Sequence, residues 1–430
     1  MSAHMNLFSV KYSLRSLFRD MARGFWARSI VYPRIAKNEF SKTELDSYIT
    51  PHLYKNKTNL QAATTLQILS RKDLTICKAD IINNPKSYSL PYTLKTLFRN
   101  KISTSGSTGR PLTITQDLGT SIKEEAFVYR QLRWAGYKSG DRRAWIRGDI
   151  VCSSQPRNGI FGCRDWWSNT LMLSSYHISS NTTQIYLDTL ERFDPILIQA
   201  YPSSIYALAS WMLANDIHYS GLSLRAIMTS SETLEDSAKK CIEDAFGCKV
   251  YDWYGQAERV AAIGTCEHGS HHVLTDYAQV ELLPDGEELF ELVGTSYNNN
   301  AMQLSRYKTG DLVHLSNSPC PCGRIFPTVK SIIGRRDKTI TLTDGRQISR
   351  LGHLFKGMNN VVEGQVAYRG NNNFLLRIVA GPNWRTADAD LLIQRLNERV
   401  GHVTASIELV ASISRGANGK FEFIRIEGDI

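Results

Sequence analysis

No run of apolar residues in this 430-residue chain approaches the roughly 18 that a membrane-crossing helix requires. Met1–Met5 lacks the apolar stretch of a secretion signal, and Lys11, Arg15, Arg19, Asp20 and Arg23 interrupt the next twenty residues with charge. A cytoplasmic location is expected. A Lys/Arg block interleaved with aromatics is also missing, so the net charge of +10 points away from nucleic acid. It suits an anionic small substrate such as ATP, or a membrane surface. Eight cysteines fit free thiols or metal ligands rather than a disulfide frame. The 42% hydrophobic and 21% charged residues that remain describe an ordinary globular protein, long enough for more than one core.

Three divisions are expected. Residues 1–98 read as helical. Within them Leu7 to Ile35 is basic and aromatic, with Phe8, Leu14, Leu17, Phe18, Met21 and Phe25 at helical spacing. Helices packed on the body are the plain reading, and a helix lying on a membrane surface is the sharper one. Residues 99–336 alternate strand and helix about every ten to fifteen positions. Helices are expected over Ser121–Trp134, Asn181–Phe193, Ser203–Ala214 and Leu234–Phe246, and strands over Ile196–Ala200, Arg225–Thr229 and Lys249–Trp253. This is an α/β pattern with largely parallel strands, in which ligands sit beyond the strands' carboxyl ends. The turns Tyr201–Ser204, Ser230–Glu232 and Tyr254–Glu258 are therefore site candidates. Val280 to Ile333 reads as a β-rich subdomain, and 337–430 as a small α+β domain with its own core. Adjacent Trp166 and Trp167 read as core, with the walls of a substrate pocket, together with His177, as the alternative.

The stretch Ser103-Thr104-Ser105-Gly106-Ser107-Thr108-Gly109-Arg110-Pro111 packs five hydroxyl residues and two glycines into nine positions. Such a composition leaves backbone N–H groups free to wrap an anion, with hydroxyls as further donors. A nucleotide P-loop is excluded, because no glycine stands five positions after Gly106 and Arg110-Pro111 follows Gly109 where Lys-Ser/Thr is needed. A Ser/Gly linker is the other reading. Leu112 and Ile114 then alternate with Thr113 and Thr115 as in a strand, which a linker rarely continues into.

Four further stretches come in order: Tyr254-Gly255-Gln256-Ala257-Glu258, Tyr307-Lys308-Thr309-Gly310-Asp311, Gly334-Arg335-Arg336-Asp337 and Asn418-Gly419-Lys420. Each alone is an ordinary turn sequence. With the Ser/Gly stretch first, the set resembles the adenylate-forming enzymes: acyl-CoA synthetases, peptide-synthetase adenylation domains and luciferases. The likeness runs roughly from Ile102 to Phe421. Arg225–Glu232, Asp344-Gly345-Arg346, Leu351–Lys356 and Cys320-Pro321-Cys322-Gly323-Arg324 are similar to the phenylacetate–CoA ligase-like family, including its branch in capsule and polysaccharide biosynthesis.

The resemblance implies a large N-terminal adenylating domain with mixed parallel sheets and a β-rich subdomain, followed by a mobile C-terminal lid. It also implies carboxylate activation by ATP to acyl-AMP and pyrophosphate, then transfer to coenzyme A, a carrier-protein thiol or another acceptor. In that scheme Ser103, Thr104, Ser105, Gly106, Ser107, Thr108 and Gly109 hold the β- and γ-phosphates, and Glu258 holds Mg²⁺. Asp311 accepts from the ribose hydroxyls, and Arg335 lies near the ribose or phosphates. Tyr254, Ser231 and Glu232 flank adenine, with Ser230-Ser231 standing where the family usually carries a glycine-containing pair. Asp337 is the hinge, and Lys420 is the cation that bridges carboxylate and α-phosphate. A non-catalytic protein on the same fold, and an adenylating enzyme without CoA ligation, are the alternatives.

Cys320-Pro321-Cys322-Gly323 has the tight turn of a metal knuckle, and Cys266 lies upstream, followed by His268, His271 and His272. Relatives with this cysteine pair carry a Cys followed six residues later by His. The resemblance thus implies a structural zinc held by Cys266, His272, Cys320 and Cys322. His268 is the alternative fourth ligand, and free thiols beside surface histidines are the plain reading. Cys77, Cys152, Cys163, Cys241 and Cys248 show no pairing pattern and read as buried thiols.

Overall fold

A computed structural model describes residues 7–56, 59–70, 73–103, 112–153, 161–316, 318–335, 340–344, 347–348, 351–355, 358, 360–401, 403–416 and 421–427. The expectations for Thr104–Pro111, Asp337 and Lys420 lie outside these residues. The chain divides into two units. One comprises residues 1–10, 141–250 and 336–430, and the other residues 11–140 and 251–335.

In the first unit the strand–helix alternation builds a parallel arrangement. Arg143–Arg147 pairs in parallel with Thr170–Ser174 on one side and with Leu197–Ala200 on the other. Leu197–Ala200 in turn pairs in parallel with Ala226–Ser230. Every residue of the last two strands is buried, as expected where helices cover both faces. The helices are Thr183–Phe193, Pro202–Ala214 and Asp236–Phe246. Pro202 pre-sets φ for the first turn of its helix, and Gly247, at φ +64°, ends the next one. Ile146, Ile198, Ile227, Leu190, Leu208, Met212 and Phe246 share one core.

An antiparallel edge strand, Gly162–Asp165, pairs with Thr170–Ser174 and was not foreseen, being only four residues long. The turn between them corrects the reading of the tryptophans. Trp166 and Trp167 are 54% and 53% exposed, because the strands pair up to Asp165 and Thr170 and leave them at the hairpin tip. Trp166 instead lies under the Arg164 guanidinium, 4.4 Å from the ring centre.

The same unit holds a four-stranded sheet in the order Thr404–Leu409, Asn373–Ala380, Val361–Tyr368, Ile424–Ile426. Its central pair is antiparallel and its outer strands are parallel to their neighbours. Helix Thr386–Val400 buries Leu392, Leu396 and Val400 against Val366, Phe374 and Leu376. Asp388 accepts the Arg385 N–H at 2.9 Å and so caps the helix.

The second unit is largely antiparallel, with only the short strand Gln67–Ile68 parallel to its neighbour among the described strands. Ala278–Pro284, Leu289–Ser296, Tyr307–Leu315 and Thr328–Arg335 pair in succession; His271–Val273 lies next to Thr328–Arg335, and Ala262–Thr265 pairs beside it. Ile263, Val273, Val280, Leu282, Leu292, Val313 and Val329 form their core. Helix Leu118–Trp134 is capped by Asp117, which accepts from the Thr120 N–H. Its Arg130, fully buried, makes a two-pronged ion pair with Asp276 at 2.7 and 3.0 Å. Strands Arg99–Ser103 and Thr113–Asp117 pair up to Ser103, the first residue of the Ser/Gly stretch, opposite Thr113, two residues after its end.

Candidate active site

Two of the sequence motifs meet in the second unit. Tyr307, Thr309 and Asp311 alternate with more exposed neighbours along one strand, so all three point to the same buried face. Gly310 between them has φ +75°, a conformation that a side chain would strain. Tyr254 and Gly255 belong to the end of strand Lys249–Gly255, so the turn carrying Glu258 begins at Gln256 rather than at Tyr254.

The contacts are crossed. Tyr254 Oη donates to Asp311 Oδ2 at 2.7 Å, and Tyr307 Oη donates to Glu258 Oε1 at 3.2 Å. Each motif thus opens with a tyrosine whose hydroxyl binds the closing carboxylate of the other. Burial, reinforced by the Asp311 charge, holds the Tyr254 phenol well above its usual pKa, so it stays a donor. Glu258 is buried, and its Oε2 has no hydrogen-bond partner among the described residues. A carboxylate oxygen left unpaired in a buried site fits a hard cation.

The Glu258 turn is held from below by the strand after the Ser/Gly stretch, where Gln116 Nε2 donates to the Ala257 carbonyl at 2.8 Å. Arg259, next to Glu258, pairs with Glu124 at 2.5 Å. Asp311 stands opposite Arg335 in the strand register.

The first unit carries the other predicted residues. Ser231 has φ +74°, a strained conformation for a residue with a side chain, and its hydroxyl accepts from Arg147 Nη2 at 2.6 Å. Glu232 faces two backbone donors. Its Oε2 takes the Ser203 N–H at 3.0 Å, at the positive end of helix Pro202–Ala214. Its Oε1 takes the N–H of Phe421, the residue after Lys420, at 2.9 Å. The Phe421 ring lies 4.7 Å from the guanidinium of Arg415, which is ion-paired with Glu363. Burial raises the pKa of the Glu363 carboxyl, and Arg415 opposes that shift.

Cys266, His272, Cys320 and Cys322 converge in the second unit, their ligand atoms all within 4.8 Å of one another. Cys266 Sγ lies 3.5 Å from Cys320 Sγ, and Cys322 Sγ lies 3.3 Å from His272 Nε2. Zinc–sulfur bonds of about 2.3 Å put tetrahedral sulfurs about 3.8 Å apart, so the donor set fits that ion. His272 Nδ1 lies 3.2 Å from the Phe326 carbonyl, which fixes Nδ1 as the protonated nitrogen and leaves Nε2 to coordinate. Burial lowers the His272 pKa and favours its neutral form. His268 is exposed and outside the cluster. Arg324, two residues beyond Cys322, reaches Glu267 at 2.7 Å and Glu39 at 3.2 Å.

Sequence reasoning did not single out Tyr307, Gln116, Arg147 or Arg324 for these roles. For Tyr307 a signal existed, since Tyr254/Glu258 and Tyr307/Asp311 share one four-residue spacing.

This fold is that of the adenylate-forming ligases. The chain superimposes on 2-hydroxyisobutyryl-CoA ligase, solved in the postadenylation state in complex with R3-HIB-AMP, with a TM-score of 0.59 at 18% identity, covering 92% of this chain and 87% of that one. Its homologues are protein CapK and the phenylacetate–coenzyme A ligases. Residues 340–427 match the CapK C-terminal domain family. Protein CapK of Staphylococcus aureus is 25% identical over 329 residues, 75% of this chain and 70% of the relative. Phenylacetate-coenzyme A ligase of Thermus thermophilus is 29% identical over 251 residues, 55% of each chain.

Proposed function

We propose that the protein is an ATP-dependent ligase that activates a carboxylic acid as its acyl-adenylate and passes the acyl group to a thiol, coenzyme A or a carrier-protein phosphopantetheine. The observation that carries this reading is the crossed pair of tyrosine–carboxylate bonds, which orients Asp311 and leaves one buried oxygen of Glu258 unpaired among the described residues. The substrate's carboxylate oxygen attacks the α-phosphorus of ATP, and the bond to the bridging oxygen of the β-phosphate breaks, releasing pyrophosphate. The thiol sulfur then attacks the acyl carbon, and AMP leaves. Ser103–Gly109 supply N–H and hydroxyl donors for the β- and γ-phosphates, and Lys420 offsets charge where the carboxylate meets the α-phosphate. Asp311 accepts from the ribose hydroxyls, held in orientation by Tyr254. A magnesium ion on Glu258 would shield phosphate charge from the incoming carboxylate.

A zinc ion held by Cys266, His272, Cys320 and Cys322 would have a structural role, since all four positions of its tetrahedron are filled by the chain. The resemblance of Arg225–Glu232, Leu351–Lys356 and Cys320–Arg324 to the capsule and polysaccharide branch of the phenylacetate–CoA ligase-like family favours a task in cell-surface polysaccharide synthesis.

Incubation of the protein with ATP and a panel of carboxylic acids tests the reading. Pyrophosphate release and a mass-detected acyl-adenylate are expected for the wild type, with release at least about a hundredfold slower for Lys420→Ala. Unchanged release in Lys420→Ala would sink the assignment.

A further inference from the structure

The N-terminal helical segment of the second unit is built inside out. Leu14, Phe18, Met21, Phe25, Trp26 and Ile30 are between 43% and 66% exposed, whereas the buried side carries Ser16, Gly24 and Ala27 beside Tyr12. A helix that served only the core would turn its large apolar side chains inward. Here the small residues face the body, and the aromatic and aliphatic ones face water at i, i+4, i+7 and i+11 from Leu14. The charge of the segment is mostly of one sign, although Glu125 of helix Leu118–Trp134 pairs with Arg23 at 2.9 Å. Lys11, Arg15, Arg19, Arg23, Arg28, Arg34 and Lys37 stand against the single acid Asp20, which is itself paired with Arg28 at 2.5 Å. Lys11 and Arg15 are exposed beside the apolar stripe.

We propose that Lys11–Ile30 is an interfacial segment that lies on the surface of an anionic lipid bilayer. Its aromatic stripe would enter the headgroup boundary while its cations meet the lipid phosphates. The charges at every fourth position from Lys11 to Arg23 prevent it from crossing the bilayer. The charge complementarity selects lipid over a second copy of this chain, because two such basic faces repel each other.

Vesicle flotation of the full chain tests the proposal, with phosphatidylcholine vesicles and with phosphatidylcholine–phosphatidylglycerol vesicles. The protein should float with the anionic vesicles only and should be released by high salt. The double variant Phe18→Ser/Phe25→Ser removes exposed rings, so its melting curve should match the wild type while its partitioning falls at least about tenfold. Arg15→Glu/Arg19→Glu should weaken binding in the same direction. Failure to float with anionic vesicles overturns the proposal, as does equal flotation with neutral ones. Concentration-dependent dimerisation abolished by the phenylalanine substitutions also overturns it, assigning the stripe to a second copy. None of these outcomes bears on acyl-adenylate formation.

Discussion

Tyr307 reaches Glu258 across 49 residues of sequence, and that bond sets what the carboxylate can do. Replacing the hydroxyl with hydrogen leaves Glu258 Oε1 without its donor in a buried site. Tyr307→Phe should slow pyrophosphate release about tenfold or more while costing about 1–2 kcal/mol of stability, read from steady-state rates and a urea midpoint. Arg130 carries a different load. Its partner Asp276 is fully buried and also accepts from Asn38 at 2.9 Å. Arg130→Met strands that carboxylate, and the urea midpoint should fall by the equivalent of about 3–5 kcal/mol. Glu258 and Asp311 were legible in the sequence because each closes a compact motif. Their tyrosine donors, and the Arg130–Asp276 pair, were not, because strand register and helix packing create those contacts and neither is local.

At the level of elements, two attachments matter most. The Glu232 carboxylate joins the start of helix Pro202–Ala214 to the backbone just after Lys420. Glu232→Ala removes both bonds, so hydrogen–deuterium exchange across 421–427 should quicken by about fivefold or more, at the loss of roughly 1 kcal/mol per bond. Unchanged exchange there would count against a tethering role. The Cys/His cluster joins strand His271–Val273, the Cys266 turn and the Cys320–Cys322 knuckle. The purified protein should contain about one zinc per chain, and Cys320→Ser should lose it and melt several degrees lower, roughly what a loss of 1–2 kcal/mol produces. A metal analysis without zinc in the wild type refutes the site. Spacing alone exposed the Cys320–Cys322 pair in the sequence. The resemblance already favoured His272 over His268, and the cluster agrees, with His272 on a buried strand and His268 at an exposed loop position.

Across the whole molecule, the alternation of helix and strand from Thr183 to Gly255 was readable because each strand–helix repeat is contiguous in the chain. The units themselves were not, since the chain passes between them after Val10, Gly140, Val250 and Arg335, and no composition shift marks the first three. All of the second unit lies before residue 336. A chain ending at Arg335 should therefore keep its zinc and a cooperative unfolding transition while forming no acyl-adenylate, as metal analysis, circular dichroism and mass spectrometry can show. Among the described residues no helix is long and apolar enough to cross a membrane.

The crossed tyrosines make the site intolerant of partial error. Both bonds link the strand Tyr307–Leu315 to the segment Tyr254–Glu258, and each supports a carboxylate for which a different task is proposed. A slip of one residue in that strand turns Tyr307 and Asp311 to the opposite face together, so both carboxylates lose their partners in a single event. One-residue insertions or deletions just ahead of Tyr307 should accordingly behave as all-or-none lesions. Point substitutions at either tyrosine should give graded ones.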